Sequence, residues 1–161
     1  MNATTTRRTV GGSLLAIALV GAFAGSTLAT PSTGFAATTV ARGTLDTDVL
    51  ANTGAIKFQT KADVDFVTSA VTIQPLGSSG WHTHPGVVLV TVVTGSLTFY
   101  DETCHATVHP AGSAFFESGN DAGLVRNLSS TDAATVSATY VVPKGTTVLR
   151  IDKPNPGCPQ S

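Results

Sequence analysis

The stretch Gly80-Trp81-His82-Thr83-His84-Pro85-Gly86, followed at once by Val87-Val88-Leu89-Val90-Thr91-Val92-Val93, decides how this chain is read. On a strand, residues i and i+2 point to one face, so His82 and His84 can aim two imidazoles at a single point. Two neutral imidazoles so placed are half of a site for Zn, Fe, Mn, Ni or Cu. The run after them is apolar on both faces, as a strand in a barrel or sandwich wall is. Pro85-Gly86 before it and Thr94-Gly95 after it are turn signals, and Ser96-Leu97-Thr98-Phe99-Tyr100 completes a hairpin.

The same rhythm continues outward on both sides. Asp63–Gln74 is rich in β-branched and aromatic residues and bounded by Pro75 and Gly77, which predicts a strand. Residues 41–60 alternate weakly, with Leu45, Val49, Ile56 and Phe58 expected to face a core. Downstream, Ala106–Val108, Ser113–Glu117, Leu124–Asn127 and Ala133–Val142 read as short strands, separated by Pro110-Ala111-Gly112 and Ser118-Gly119-Asn120-Asp121 and closed by Pro143. Turn signals about every 8–12 residues, with no helical pattern outside the N-terminal leader, predict an all-β antiparallel sandwich or small barrel.

Composition supports one domain of that class. The chain has 161 residues, of which 12% are charged and 42% hydrophobic, with a formal net charge of -1. No basic patch with interleaved aromatics is present, which argues against a nucleic-acid partner. No Ser-His-Asp set, nucleotide-binding glycine loop or Cys-x-x-Cys is present either.

The two ends carry separate signals. Arg7-Arg8 followed by the small, apolar run Val10–Leu28 reads as an export signal over residues 1–29, cut after Ala29 or as late as Ala36 or Ala37. A retained membrane anchor is the alternative, weakened by the glycines and serines within the run. After cleavage no membrane contact is expected. Residues 30–40 read as a flexible lead-in, and 41–161 as the single barrel domain. Cys104 and Cys158 are an even pair, which in an exported protein suggests one disulfide tying the Pro/Gly-rich tail to the body. Thiolate ligands or free thiols are the alternatives.

The histidine stretch, its apolar strand, the glycine turn and Leu97-Thr98-Phe99-Tyr100 together resemble the cupin superfamily, and most of all its small secreted single-domain bacterial members. The first cupin motif is Gly-x5-His-x-His-x3,4-Glu-x6-Gly. His82, His84 and Gly95 match it, the opening glycine is one residue off at Gly77, and Val88 stands in the Glu slot. The second is Gly-x5-Pro-x-Gly-x2-His-x3-Asn. Gly112 and Asn127 match its ends, while Ser118, Asn120 and Gly123 occupy the Pro, Gly and His slots. The resemblance covers roughly residues 60–143. It implies a cupin-type antiparallel jelly-roll β-barrel, a divalent metal (Fe, Mn, Ni, Cu or Zn) inside it, a small-molecule ligand, and edge-strand pairing into homodimers. Functions in this superfamily range from dioxygenases and isomerases to binders and storage proteins, so fold alone does not name an activity.

With two of four ligands missing, two nearby acids are candidate substitutes. Glu117 directly follows Phe115-Phe116, where an acid is unusual unless it faces something polar, and Asp121 lies two before the empty His slot. Each is weighed against a solvated strand-end carboxylate. His105 and His109 read as surface histidines, Trp81 as core or rim, and Arg126 as a carboxylate clamp only if it turns inward. The sequence therefore supports an exported binder of a small molecule, or of a metal at His82 and His84 plus a small molecule. Its alternatives are a metal-dependent dioxygenase or isomerase with Glu117 or Asp121 as third ligand, and a structural domain with a vestigial site.

Overall fold

A computed structural model describes Met1 and residues 28–159; leader residues 2–27 therefore lie outside the described residues, whereas the expected cleavage points at Ala29, Ala36 and Ala37 lie within them. What is described is built of strands alone: β1 (Thr33–Leu45), β2 (Leu50–Asn52), β3 (Lys57–Gln59), β4 (Val64–Ser78), β5 (His82–Thr83), β6 (Val87–Thr94), β7 (Ser96–Tyr100), β8 (Ala106–Pro110), β9 (Ala114–Glu117), β10 (Leu124–Arg126), β11 (Ala134–Pro143) and β12 (Ile151–Asp152). All pairings between them are antiparallel.

The main sheet runs β8-β7-β10-β4-β11-β6-β9, with β1 on the free edge of β4. It folds over where β10 meets β4 at a single pair, Arg126 with Ser78. Leu97 of β7 and Val125 of β10 thereby join Val71, Val90 and Val136 in one core. Each wall obeys the two-residue period of a strand. Val67, Val71 and Ile73 of β4, Val88, Val90 and Val92 of β6, and Val136, Ala138, Tyr140 and Val142 of β11 are buried, while Leu89 and Val93 of β6 are exposed. At the β6–β7 turn Gly95 has φ +75, and a Cβ there would press on Ala134 at 3.0 Å, so only glycine fits.

Three expectations need correction. Residues 33–40 are not a lead-in but the first half of β1, paired with the second half of β4. Ala37, Thr38, Thr39 and Val40 read as loop because they lack alternation, yet an outer strand has no second face to bury. Phe35 packs on the core there, and Ala37 and Thr39 line the barrel mouth. Ile56, expected in the core, is 67% exposed beside the β2–β3 hairpin. Pro110 is not punctuation but the last residue of the edge strand β8, where a missing N–H costs no ladder bond.

The tail returns to the histidine turn. β12 pairs with β5, setting Ile151 opposite Thr83 and Asp152 opposite His82. Cys104 and Cys158 are joined by a disulfide that spans 54 residues and packs with Trp81 and Leu124 in a second small core. No helix among the described residues is long and apolar enough to cross a membrane.

Candidate functional site

The site is set by backbone before any side chain is considered. His82 exchanges two hydrogen bonds with Gly123, N to O at 3.0 Å and O from N at 2.9 Å, and the His84 amide donates to Gly119 O at 3.1 Å. Gly119 lies so close to Gly86 that a Cβ on it would sit 2.0 Å from the Gly86 oxygen. This glycine contact lets the β9–β10 loop close onto the histidine turn.

On that frame His82, His84 and Glu117 come together, all buried, with one donor atom of each within 4.8 Å of the others. Glu117 Oε2 lies 2.6 Å from His84 Nε2 and 3.7 Å from His82 Nε2. The other ring nitrogens face backbone carbonyls: His82 Nδ1 meets Gly80 O at 2.8 Å, and His84 Nδ1 meets Leu149 O at 2.6 Å. A carbonyl oxygen only accepts, so this bonding pattern assigns the hydrogen of each ring to Nδ1 and leaves both Nε2 atoms as lone-pair donors aimed at the carboxylate. Burial pushes the His82 pKa down, opposed by the Glu117 charge, which favours the neutral, ligating form.

Glu117 reaches this position by register. It pairs across the β6–β9 ladder with Val88, the residue in the empty Glu slot of the first motif. Cross-strand partners share a face, so the carboxylate comes from the neighbouring strand. The second gap is closed differently. Gly123, in the empty His slot, has the Phe99 ring where a Cβ would be, with Cε2 at 2.7 Å. Aromatic carbon thus stands where a fourth ligand side chain would begin.

Other residues weighed from the sequence lie elsewhere. Asp121 is exposed and accepts a hydrogen bond from Ser118 Oγ at 2.8 Å. The strand that would have turned it inward does not begin until Leu124. Arg126 lines a surface cleft beside Trp81. His105 is exposed near Asp101, and His109 stacks on Phe115 with ring centroids 4.6 Å apart. Trp81 is buried against the disulfide core, its Nε1 without a partner. Asn127 is a structural brace: its amide donates to Ile73 O, Gln74 O and Asp132 O at 3.0, 3.2 and 2.8 Å.

Two voids meet at the two imidazoles, with Glu117 on the inner side. The inner one, about 40 Å³, is lined mostly by apolar residues such as Val71, Ile73, Val88, Leu97 and Val125, with Glu117 and the two histidines at its polar end. The outer one, about 330 Å³, is the barrel mouth, lined by His82, His84, Tyr140, Phe35, Leu149 and Arg150 among others. Tyr140 stands with its ring edge to His84, centroids 5.4 Å apart. Burial and the Glu117 charge push its pKa up to about 12, so its hydroxyl keeps its proton throughout the neutral range. Arg150, Leu149 and Phe35 were not found from the sequence. All three lie outside residues 60–143, and nothing local marks Arg150 as more than another exposed cation.

No protein-family model and no curated protein matches the sequence. Among solved structures, the chain is similar to a cupin 2 conserved barrel protein from Salinispora arenicola (19% identity over 49% of this chain and 64% of that one, TM-score 0.44). It is also similar to the cupin domain of an XRE-family transcriptional regulator from Enterobacter cloacae (12% identity, 68% and 97%, TM-score 0.46). A third is a DMSP lyase from Ruegeria pomeroyi (15% identity, 52% and 42%, TM-score 0.46). The match takes in less than two thirds of the Salinispora and Ruegeria chains. By its strand path the described chain folds as an all-β, antiparallel jelly-roll barrel with the histidine turn at its mouth.

Proposed function

We propose that this protein is an exported barrel that holds a divalent metal ion on His82, His84 and Glu117 and takes a small molecule in the mouth beside it. One observation carries the reading. With both Nδ1 hydrogens committed to Gly80 and Leu149, two nitrogen lone pairs face one buried carboxylate, at 2.6 and 3.7 Å. A lone pair and a carboxylate oxygen at 2.6 Å repel unless a positive charge lies between them. A proton can satisfy one imidazole, whereas a metal cation can satisfy both. Metal bonds of about 2.0–2.2 Å put two donors of one ion roughly 3–4 Å apart; the 3.7 Å separation lies in that range and the 2.6 Å one just below it. When bound, such an ion supplies Lewis acidity and open coordination positions toward the mouth. The chain's residues supply the rest: Leu149 and Gly80 fix the rings, Tyr140 offers a protonated hydroxyl, and the valine-lined interior excludes water.

Export is supported by the disulfide, which belongs to oxidising compartments, and by the leader pattern. A second reading, a metal-dependent enzyme of dioxygenase or isomerase type, is favoured by the ligand set, since two histidines and one carboxylate on one face leave sites for substrate. The open mouth of about 330 Å³ speaks against a purely structural barrel, whose cavity side chains would fill.

The test is elemental analysis of the protein purified from its own compartment, beside the His82→Ala/His84→Ala double variant. The expected result is near-stoichiometric metal in the parent and none in the variant. Metal absent from both, even after reconstitution with Fe, Mn, Ni, Cu and Zn, would sink the metal centre.

A further inference from the structure

We infer that the ligand of the mouth is a small organic anion, a carboxylate with an apolar body, and that Arg150 docks its charged end. The inference rests on the reading of the mouth as a small-molecule site. Among the residues lining the 330 Å³ cavity, Arg150 is the only lysine or arginine, and none is an aspartate or glutamate. The chain as a whole carries 10 acidic and 9 basic residues, so a mouth with a cation and no acid is a local departure that selects for negative charge.

Arg150 is also held in place. Its Nη2 donates to Ser79 O and pairs with Asp152 Oδ1 at 2.9 Å, and its guanidinium stacks over Phe35 at 5.9 Å from the ring centroid. Those bonds leave from one nitrogen, and the buried Nε has no acceptor at all. A guanidinium fixed by packing, with donors unengaged, is prepared for a planar carboxylate. Its one counterion, Asp152, has a side chain 47% exposed, so solvent screens that pairing and a ligand can compete with it. Ala37, Val148 and Leu149 line the remainder and suit a hydrocarbon body. The volume lies at the low end of small-ligand clefts, about 300–1,000 Å³, which limits the anion to a small one. Glu117 faces the inner void rather than the mouth lining, so its charge meets the ligand only behind the two imidazoles.

Calorimetric titration of the whole protein with benzoate, and with benzamide as its neutral counterpart, tests this. Benzoate should bind at least about tenfold more tightly than benzamide, since a charge-assisted pair is lost with the amide. Arg150→Ala should remove that preference, and Arg150→Lys should restore it only in part, because a point charge lacks the fork. Asp152→Asn should tighten benzoate binding about two- to fivefold by releasing Arg150; this variant keeps Arg150 and its packing, so it remains informative if Arg150→Ala folds poorly. Equal binding of benzoate and benzamide, no benzoate binding, or an Asp152→Asn variant that binds benzoate more weakly than the parent would overturn the inference. Metal content measured on the same samples separates the two readings. Metal present without anion preference sinks only the role of Arg150, and anion preference without metal sinks only the metal centre.

Discussion

At the scale of single residues the site turns on Glu117, a buried carboxylate whose recorded partners are two imidazoles. Glu117→Gln keeps the shape and can still donate a hydrogen bond to His84 Nε2. We therefore expect the metal-free protein to keep its stability within about 1 kcal/mol, while metal affinity falls by more than about a hundredfold, beyond the loss typical of a supporting residue. A chemical melt and a competitive metal titration measure the two. Asp65 gives a separate, acid-side signal. It accepts from Thr44 Oγ1 and Arg42 Nη1 at 2.7 Å each and from the Gly145 amide at 3.0 Å, and its pKa is held below the ordinary 3.8, first by the Thr44 hydroxyl and then by Gly145. The ionised form is thus favoured by folding. Its contribution is present above pH 3.8 and drains away as pH falls toward the lower folded value. A pH series of melting temperatures should show a fall below about pH 4 that Asp65→Asn flattens. What was legible at this scale was chemistry with a local cue. The histidines carried their spacing, and Glu117 stood where an acid needs a polar partner. Asp121 was marked only by its place two before the empty His slot, and the loop there does not become a strand until Leu124. Arg150 had none, since its role comes from a tail that folds back over 60 residues of chain to reach the mouth.

At the scale of elements the question is which strand brings a carboxylate to the imidazoles. Val88 and Glu117 are cross-strand neighbours on β6 and β9, so an acid at either position would face the imidazoles, and here it stands on β9. Moving it to β6 is the direct check. Glu117→Val should abolish metal binding, and Val88→Glu/Glu117→Val should recover part of it, read by metal content after reconstitution. No recovery would mean that the ring orientations admit the carboxylate only from β9. The Gly123 position predicts a steric outcome instead. Gly123→Ala drives a methyl into the Phe99 ring at 2.7 Å and should cost about 1–3 kcal/mol, which thermal unfolding would register. The inner walls were legible because alternation forces buried and exposed sides apart. β1 was not, because an outer strand whose residues are nearly all exposed carries no such alternation, and only its pairing with β4 makes it a strand.

At the scale of the molecule the barrel and its tail form one unit. Leu149 holds the His84 ring, Arg150 lines the mouth and β12 pairs with β5, yet these residues belong to the last turn of chain before Cys158. Replacing both cysteines with serine should lower stability by about 2–4 kcal/mol, as expected for a loop of this length, and should also lower metal occupancy through the freed tail. Differential melting with and without metal would show both, and an intact metal signal would mean that β12 docks unaided. The Cys104–Cys158 bond is therefore more than a fastener for the tail. It joins a turn outside the barrel wall to the segment that carries Leu149, Arg150 and β12, so the shape of the mouth is tied to a covalent link made 54 residues apart in sequence.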